Sequence, residues 1–225
     1  MVGEVREWLL GLRKSDRDTA RLVGQALQAL VEEGPGLGRP LVDRIKGSSM
    51  HNLKELRPGS GGTSEIRVLF VFDPDRNAVL LVAGNKSGRW REWYSRSIPR
   101  GRGALRRPVG TLGSTAEGHV EVTTFPWDEV KNEVFDAEDL EEIERGAQRM
   151  VAAARAHRLV EMRKQLGLTQ SEIADRMHVR QERVSAIERG RTTATEVGTI
   201  AAYIAALGGQ LEIVANFNGS RVVIV

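Results

Sequence analysis

Residues 168–190, LTQSEIADRMHVRQERVSAIERG, constrain the fold more than any other part of this chain. The apolar residues Ile173, Met177, Val179, Val184 and Ile187 recur at spacings that bury one face of each of two short helices. Ala174 supplies a small side chain where the two helices approach, and His178-Val179 marks a tight turn between them. Thr169 precedes the first helix and Glu172 follows three residues later, so the hydroxyl and the carboxylate can each satisfy a free backbone amide at that terminus.

The same residues resemble the Xre/Cro family of helix-turn-helix proteins. The matching positions run from Leu168-Thr169-Gln170 through Ile173-Ala174, Val179, Val184-Ser185 and Ile187-Glu188 to Gly190. The module is expected over roughly residues 155–208, and the resemblance implies that it binds double-stranded DNA. Its second helix would enter the major groove with its amino-terminal residues toward the base edges. Gln170 lies on the first turn of the first helix, where backbone amides and the helix dipole favour a phosphate. Gln181 is the expected base reader, because a glutamine amide pairs bidentately with adenine. Glu182, Arg183 and Ser185 are further candidates, and Arg180 and Arg191 are assigned to phosphates. One position departs from the family: where Ser or Thr often caps the recognition helix, this chain has Arg180.

A chain of 225 residues suits two domains of about 100 residues each. No apolar run approaches the ~20 residues needed to span a bilayer, and the start lacks a signal-peptide core, so a cytoplasmic protein without membrane contact is expected. The absence of cysteine excludes disulfides and thiolate metal sites, and the four histidines are scattered, so neither metal nor cofactor is expected. The net charge of +3 conceals an asymmetry. Residues 1–110 hold 20 Lys and Arg against 12 Asp and Glu, a charge of +8, and the remainder carries −5. Opposed halves of this kind point to a basic module made for polyanions beside an acidic one able to mask it.

Residues 4–33 carry apolar side chains at helical spacing, including Val5, Trp8, Leu9 and Leu12, then Leu22, Val23, Ala26, Leu27 and Leu30. Two helices broken near Ser15-Asp16 are expected, the second ended by Gly34-Pro35. Three strand-like runs follow at 51–57, 65–73 and 78–83, separated by turn-forming residues, so they should form an antiparallel meander. Residues 100–118 are rich in Gly and Arg without hydrophobic period and read as a linker. Asp136 is placed to cap a helix entered at Ala137, and acidic residues crowd 128–144. Two apolar runs around Asn218-Gly219 predict a terminal hairpin.

The amino-terminal part resembles the HigB-type, phage Gp49-like branch of the RelE toxin superfamily. The resemblance rests on LGRPL at 37–41, HNLKELRPGS at 51–60, EIRVLFVFD at 65–73 and the W-x-x-W-Y pattern of Trp90, Trp93 and Tyr94. It implies a metal-independent mRNA endoribonuclease, often acting on ribosome-bound message, in which the RNA 2′-OH attacks the adjacent phosphate. Arg57 and Arg67 are the candidates to hold the pentacovalent phosphorane through charge-assisted hydrogen bonds. Lys46, Lys54 and Lys86 are the candidates to orient the 2′-OH or assist the leaving oxygen, and the aromatics offer stacking surfaces for bases.

The expected fold class is therefore α+β. A RelE-like domain at 1–99, two helices packed on an antiparallel sheet, is joined by the linker 100–118 to a HigA-like all-α helix-turn-helix domain at 119–225 with a C-terminal β-hairpin. The order resembles that of the HigB toxin and HigA antitoxin, normally separate proteins. The expected function is an autorepressor that binds its own, palindromic, promoter as a homodimer and carries a restrained mRNA interferase. The alternative is a transcription regulator whose toxin-like domain is catalytically inert and serves as an interaction module.

Overall fold

In the computed structural model, residues 1–45, 48, 50, 52–59, 64–88, 90–106, 124–190, 197–217 and 220–224 are described. They divide into two compact units, Met1–Ala154 and Arg155–Val225. Among the described residues no helix is long and apolar enough to cross a membrane.

The first unit begins with α1 (Gly3–Ser15) and α2 (Arg17–Glu33). The break between them is made by Asp16, whose carboxylate accepts the Thr19 amide at 3.0 Å and caps α2. Four strands follow: β1 (Val42–Arg44), β2 (Lys54–Leu56), β3 (Ile66–Phe72) and β4 (Ala78–Asn85), antiparallel in that order across the sheet. The expected meander is present, with β1 as an additional edge strand. Only three residues long, β1 presents too little alternation to stand out in the sequence. One sheet face carries Leu56, Ile66, Val68, Phe70 and Leu80 into a core with Val5, Leu9, Val23, Leu27 and Leu30 of the two helices. The other face carries Leu53, Leu69, Val71, Leu81 and Val82 against Trp93, Tyr94 and Ile98. These last belong to α3 (Trp90–Arg106). The helix continues through Pro99 into the segment expected to be linker from residue 100, and Gly101 lies against Leu81 and Val82. Residues 107–118 of that expected linker lie outside the described residues.

Two further helices, α4 (Trp127–Val134) and α5 (Ala137–Gln165), follow. Val130, Val134, Phe135, Ile143, Ala147, Val151 and Ala154 join the core of α1, α2 and the sheet. The boundary between the compact units consequently falls within α5 instead of at 100–118, because the packing of its first half belongs to the amino-terminal core. Asp136 caps α5 as its position implies, accepting the Asp139 amide at 3.0 Å.

The second unit contains α6 (Gln170–Met177), α7 (Gln181–Glu188), α8 (Val197–Ala206) and the hairpin β5 (Val214–Phe217) with β6 (Ser220–Val223). Its core is Ile173, Ala174, Val184, Ile187, Tyr203 and Ala206. The capping box at Thr169 and Glu172 is formed on both sides, and His178 makes the turn in the left-handed region at φ 55°. The expected turn Asn218-Gly219 lies outside the described residues.

Candidate nucleic-acid sites

In the amino-terminal unit, strand alternation decides which cations meet. Asp43 stands opposite Glu55 and Glu55 opposite Leu69, so Asp43, Glu55, Arg57 and Arg67 share the face beneath α3. Glu55 is 2% exposed and forms the hub. It accepts from Arg57 Nε at 2.6 Å and from the Tyr94 hydroxyl, and its carboxylate lies 4.0 Å from Arg67 Nε. Arg57 also pairs with Asp43 at 2.9 Å. Arg67 donates to the Ile66 carbonyl at 2.6 Å, while its buried Nε has no hydrogen-bond partner. Lys86 reaches the same group from the end of β4, 5.8 Å above the Tyr94 ring and 3.7 Å from Glu65. Burial and the Glu55 carboxylate both push the Tyr94 hydroxyl well above its ordinary value.

Arg57, Arg67 and Lys86 thus come together, and Lys54 does not. Lys54 stands opposite Phe70, on the face toward α1 and α2, because a shift of one residue along a strand reverses the facing. Lys46 lies outside the described residues. Glu55 was not among the expected site residues, and Tyr94 was expected only as a stacking surface. The available signal was parity: Glu55 is a charge at a position that alternates with Leu53 and Arg57.

The acidic segment 128–144 covers the basic surface of α1 and α2, away from the candidate catalytic cations. Its carboxylates pair with arginines of α1 and α2. Asp139, with a fully buried side chain, lies 2.6 Å from Arg13 and 2.9 Å from Arg17. Glu142 meets Arg21 at 2.5 Å, and Glu133 receives Arg6. None of these contacts involves Arg57, Arg67 or Lys86. Close approach of the helices is permitted at Gly24, where a Cβ would stand 2.7 Å from Ile143 Cδ1.

In the second unit a buried ion pair underlies α7, the expected recognition helix. Arg163 of α5 makes a bidentate contact with Glu188 at the end of α7, at 2.6 and 2.8 Å, and donates to the Leu168 carbonyl at 2.8 Å. Tyr203 donates to Glu188 at 2.6 Å and Gln170 donates to it at 2.8 Å. Burial opposes ionisation of Glu188. Hydrogen bonds from Arg163, Gln170 and Tyr203 outweigh it and hold the carboxyl below its ordinary range. Gln170 in turn accepts from Gln181 Nε2 at 2.6 Å.

The expected DNA-facing edge of α7 remains open. Arg180, Gln181, Glu182 and Arg183 are exposed, Ser185 is half-buried, and Val184 and Ile187 are core. Arg180 makes no side-chain cap, in keeping with its departure from the Ser or Thr pattern. Gln170, expected to reach a phosphate, has its amide engaged with Glu188 and Gln181. Arg191 lies outside the described residues. The Arg163–Glu188–Tyr203 network was not anticipated, because its members are 15 to 40 residues apart and become neighbours only in the folded bundle.

Among the described residues no cluster of His, Asp and Glu is arranged to hold a metal ion. Residues 7–106 match the family described as phage derived protein Gp49-like, and residues 159–214 match a helix-turn-helix family. The toxin HigB2 of Mycobacterium tuberculosis is 56% identical over 97 residues, covering 43% of this chain and 47% of that protein, so the chain spans about half the length of this relative. The toxin HigB3 of the same organism is 48% identical over 99 residues, 44% of this chain and 82% of HigB3. The antitoxin HigA3, also from M. tuberculosis, is 47% identical over 85 residues, 37% of this chain and 78% of HigA3. The two halves therefore place the chain in the HigB–HigA toxin–antitoxin family, a Gp49-like HigB domain and a HigA-like helix-turn-helix domain on one polypeptide.

Proposed function

We propose that the chain is a DNA-binding regulator of its own promoter that carries a restrained, metal-independent mRNA interferase domain. The observation that carries the regulatory reading is the linked pair Gln170–Gln181. Gln170 is fixed through Glu188 to the buried Arg163, so the Gln181 amide at the exposed start of α7 is held before DNA arrives. An amide held in this way loses little side-chain freedom on pairing with adenine. Arg180 and Arg183 beside it supply charge for the phosphates.

A two-fold operator requires a second copy of the module. The hairpin supplies an apolar surface for pairing, with Phe217 65% and Val223 62% exposed. A gel shift on the chain's own promoter tests the reading. Gln181→Ala is expected to weaken binding by about 1–3 kcal/mol and to relax preference at one base pair; a retained, equally selective shift refutes the assignment.

For the interferase, the 2′-oxygen would attack the neighbouring phosphorus, the 5′-oxygen would leave, and a 2′,3′-cyclic phosphate would form. Arg67 and Arg57 would stabilise the charge developing on the phosphorane. The 2′-OH proton would pass to the Tyr94 oxygen as Tyr94 gives its own proton to the hydrogen-bonded Glu55 carboxylate, and the Lys86 ammonium beside Tyr94 would protonate the leaving 5′-oxygen. The restraint is read from Arg57, whose guanidinium is already engaged by Asp43 and Glu55, so a phosphate must compete with two carboxylates. The same engagement favours the second reading, an inert interaction domain. Expression of residues 1–154, the first compact unit with its core complete, separates the two. Growth arrest abolished by Arg67→Ala supports a live nuclease, and absence of arrest supports the inert domain.

A further inference from the structure

Arg44 and Lys54 are cross-strand partners on β1 and β2. The adjacent backbone bond from Ile45 N–H to the Leu53 carbonyl, 3.1 Å, makes 45 and 53 a hydrogen-bonded pair. By alternation Arg44 and Lys54 form the closer, non-hydrogen-bonded kind, with Cβ atoms about 4.5–5.5 Å apart. Two cations so placed repel each other. Among the described residues neither meets a carboxylate, because the neighbouring acids are engaged on the opposite face: Asp43 with Arg39 and Arg57, Glu55 with Arg57 and Tyr94. Lys54 lies instead 5.1 Å above the Phe72 ring. Burial, and then the nearby Arg44, hold its ammonium below the ordinary lysine range. The local arrangement therefore costs stability, and a bound anion would reverse that cost by turning the repulsion into two charge-assisted hydrogen bonds.

We propose that Arg44 and Lys54, above Phe72, form a phosphodiester-binding exosite for single-stranded RNA, on the sheet face opposite the candidate catalytic group. The proposal rests on the nuclease reading for its choice of polyanion. β1 is an edge strand, so an RNA strand can pass around it from one face to the other. Arg57 lies three residues beyond Lys54, just past the end of β2 and about 10 Å away, which a few nucleotides span. The exosite would hold the message while the scissile phosphate meets Arg57 and Arg67.

The test uses the full chain and a short, non-cleavable 2′-O-methyl RNA, with affinity measured by fluorescence anisotropy over a range of salt. The variant is the double substitution Arg44→Gln with Lys54→Met, which keeps both apolar stems. It is expected to bind about five- to tenfold more weakly near physiological salt, with the slope of log K against log salt reduced by about 0.7–1.4, one or two phosphate contacts. Its melting temperature should be unchanged or higher, since a like-charge contact has been removed, and its shift of the promoter duplex should be unaltered.

An unchanged salt slope, a wild-type chain that does not bind the RNA, or a lowered melting temperature overturns the exosite. Inorganic phosphate that occupies the pair while the RNA slope stays unchanged identifies a free-anion site and also overturns it. Cleavage of unmodified RNA is scored separately, with Arg67→Ala as control. Cleavage with an unchanged slope sinks the exosite and leaves the nuclease reading standing. A reduced slope without any cleavage does the reverse.

Discussion

Replacing Glu188 by Gln removes one charge from the interior of the second unit while preserving shape. The Glu188 side chain is 3% exposed and its partner Arg163 is 9% exposed, so solvent does little to compensate the guanidinium left behind. Breaking a buried pair from one side costs roughly 3–5 kcal/mol. The amide also presents its own N–H groups to donors from Arg163 and Gln170, which can no longer all be accepted. For a unit confined to Arg155–Val225, about 4–8 °C per kcal/mol applies, so its melting transition should fall by more than about 10 °C. Promoter binding should weaken with it, because Gln170 loses its anchor and Gln181 its position. Calorimetry on the full chain, following the transition of the helix-turn-helix unit, reads the first effect. As a control, Tyr203→Phe, which removes one hydrogen bond to the same carboxylate, should cost only about 1.5–3 kcal/mol. A Glu188→Gln transition within 2 °C of wild type, with promoter binding intact, would refute the claim that this pair holds the recognition helix.

The same carboxylate sets an acid limit. Because its pKa is depressed in the folded state, its contribution is complete above the unfolded value of about 4.3 and is lost as pH falls through the lower folded value, so stability by urea titration should drop below about pH 4 and less steeply in Glu188→Gln. Asp139→Asn should destabilise the first unit by about 2 kcal/mol, less than the full buried-pair cost because Arg13 and Arg17 are partly exposed and keep Asp136. Glu138→Gln, at an 84% exposed side chain, should change the melt by less than about 0.5 kcal/mol. Gly24→Ala should cost about 1–2 kcal/mol despite its better helix propensity, and Ile143→Val, which removes the atom 2.7 Å from the new methyl, should restore most of it in a double-mutant cycle.

The helix-turn-helix unit was the more legible half because its determinants are local. The spacing of Ile173, Ala174, Val184 and Ile187, the Thr169–Glu172 capping box and the turn at His178 all lie within 23 residues and act through neighbouring backbone. The amino-terminal unit was legible as two helices and a meander for the same reason. Its site was only partly so. Five cations were candidates, and their grouping depended on strand parity and on the registers of β2 with β3 and of β3 with β4, which sequence spacing does not resolve.

By itself, the amino-acid sequence determined the order of two unlike modules, the two short helices of the helix-turn-helix and the charge opposition between the halves. Periodicity, capping chemistry and charge are properties of the chain before it folds. Tertiary packing decided which partners those charges took. It sent the acids of 128–144 to the arginines of α1 and α2, put Lys54 back to back with Arg57, and gathered Glu55 and Arg67 beneath Tyr94 of α3. It also linked Arg163 to Glu188 across 25 residues. The physical reason is that an ion pair or proton relay is specified by distances of a few ångströms in space, and separation along the chain carries almost no information about those until the core closes.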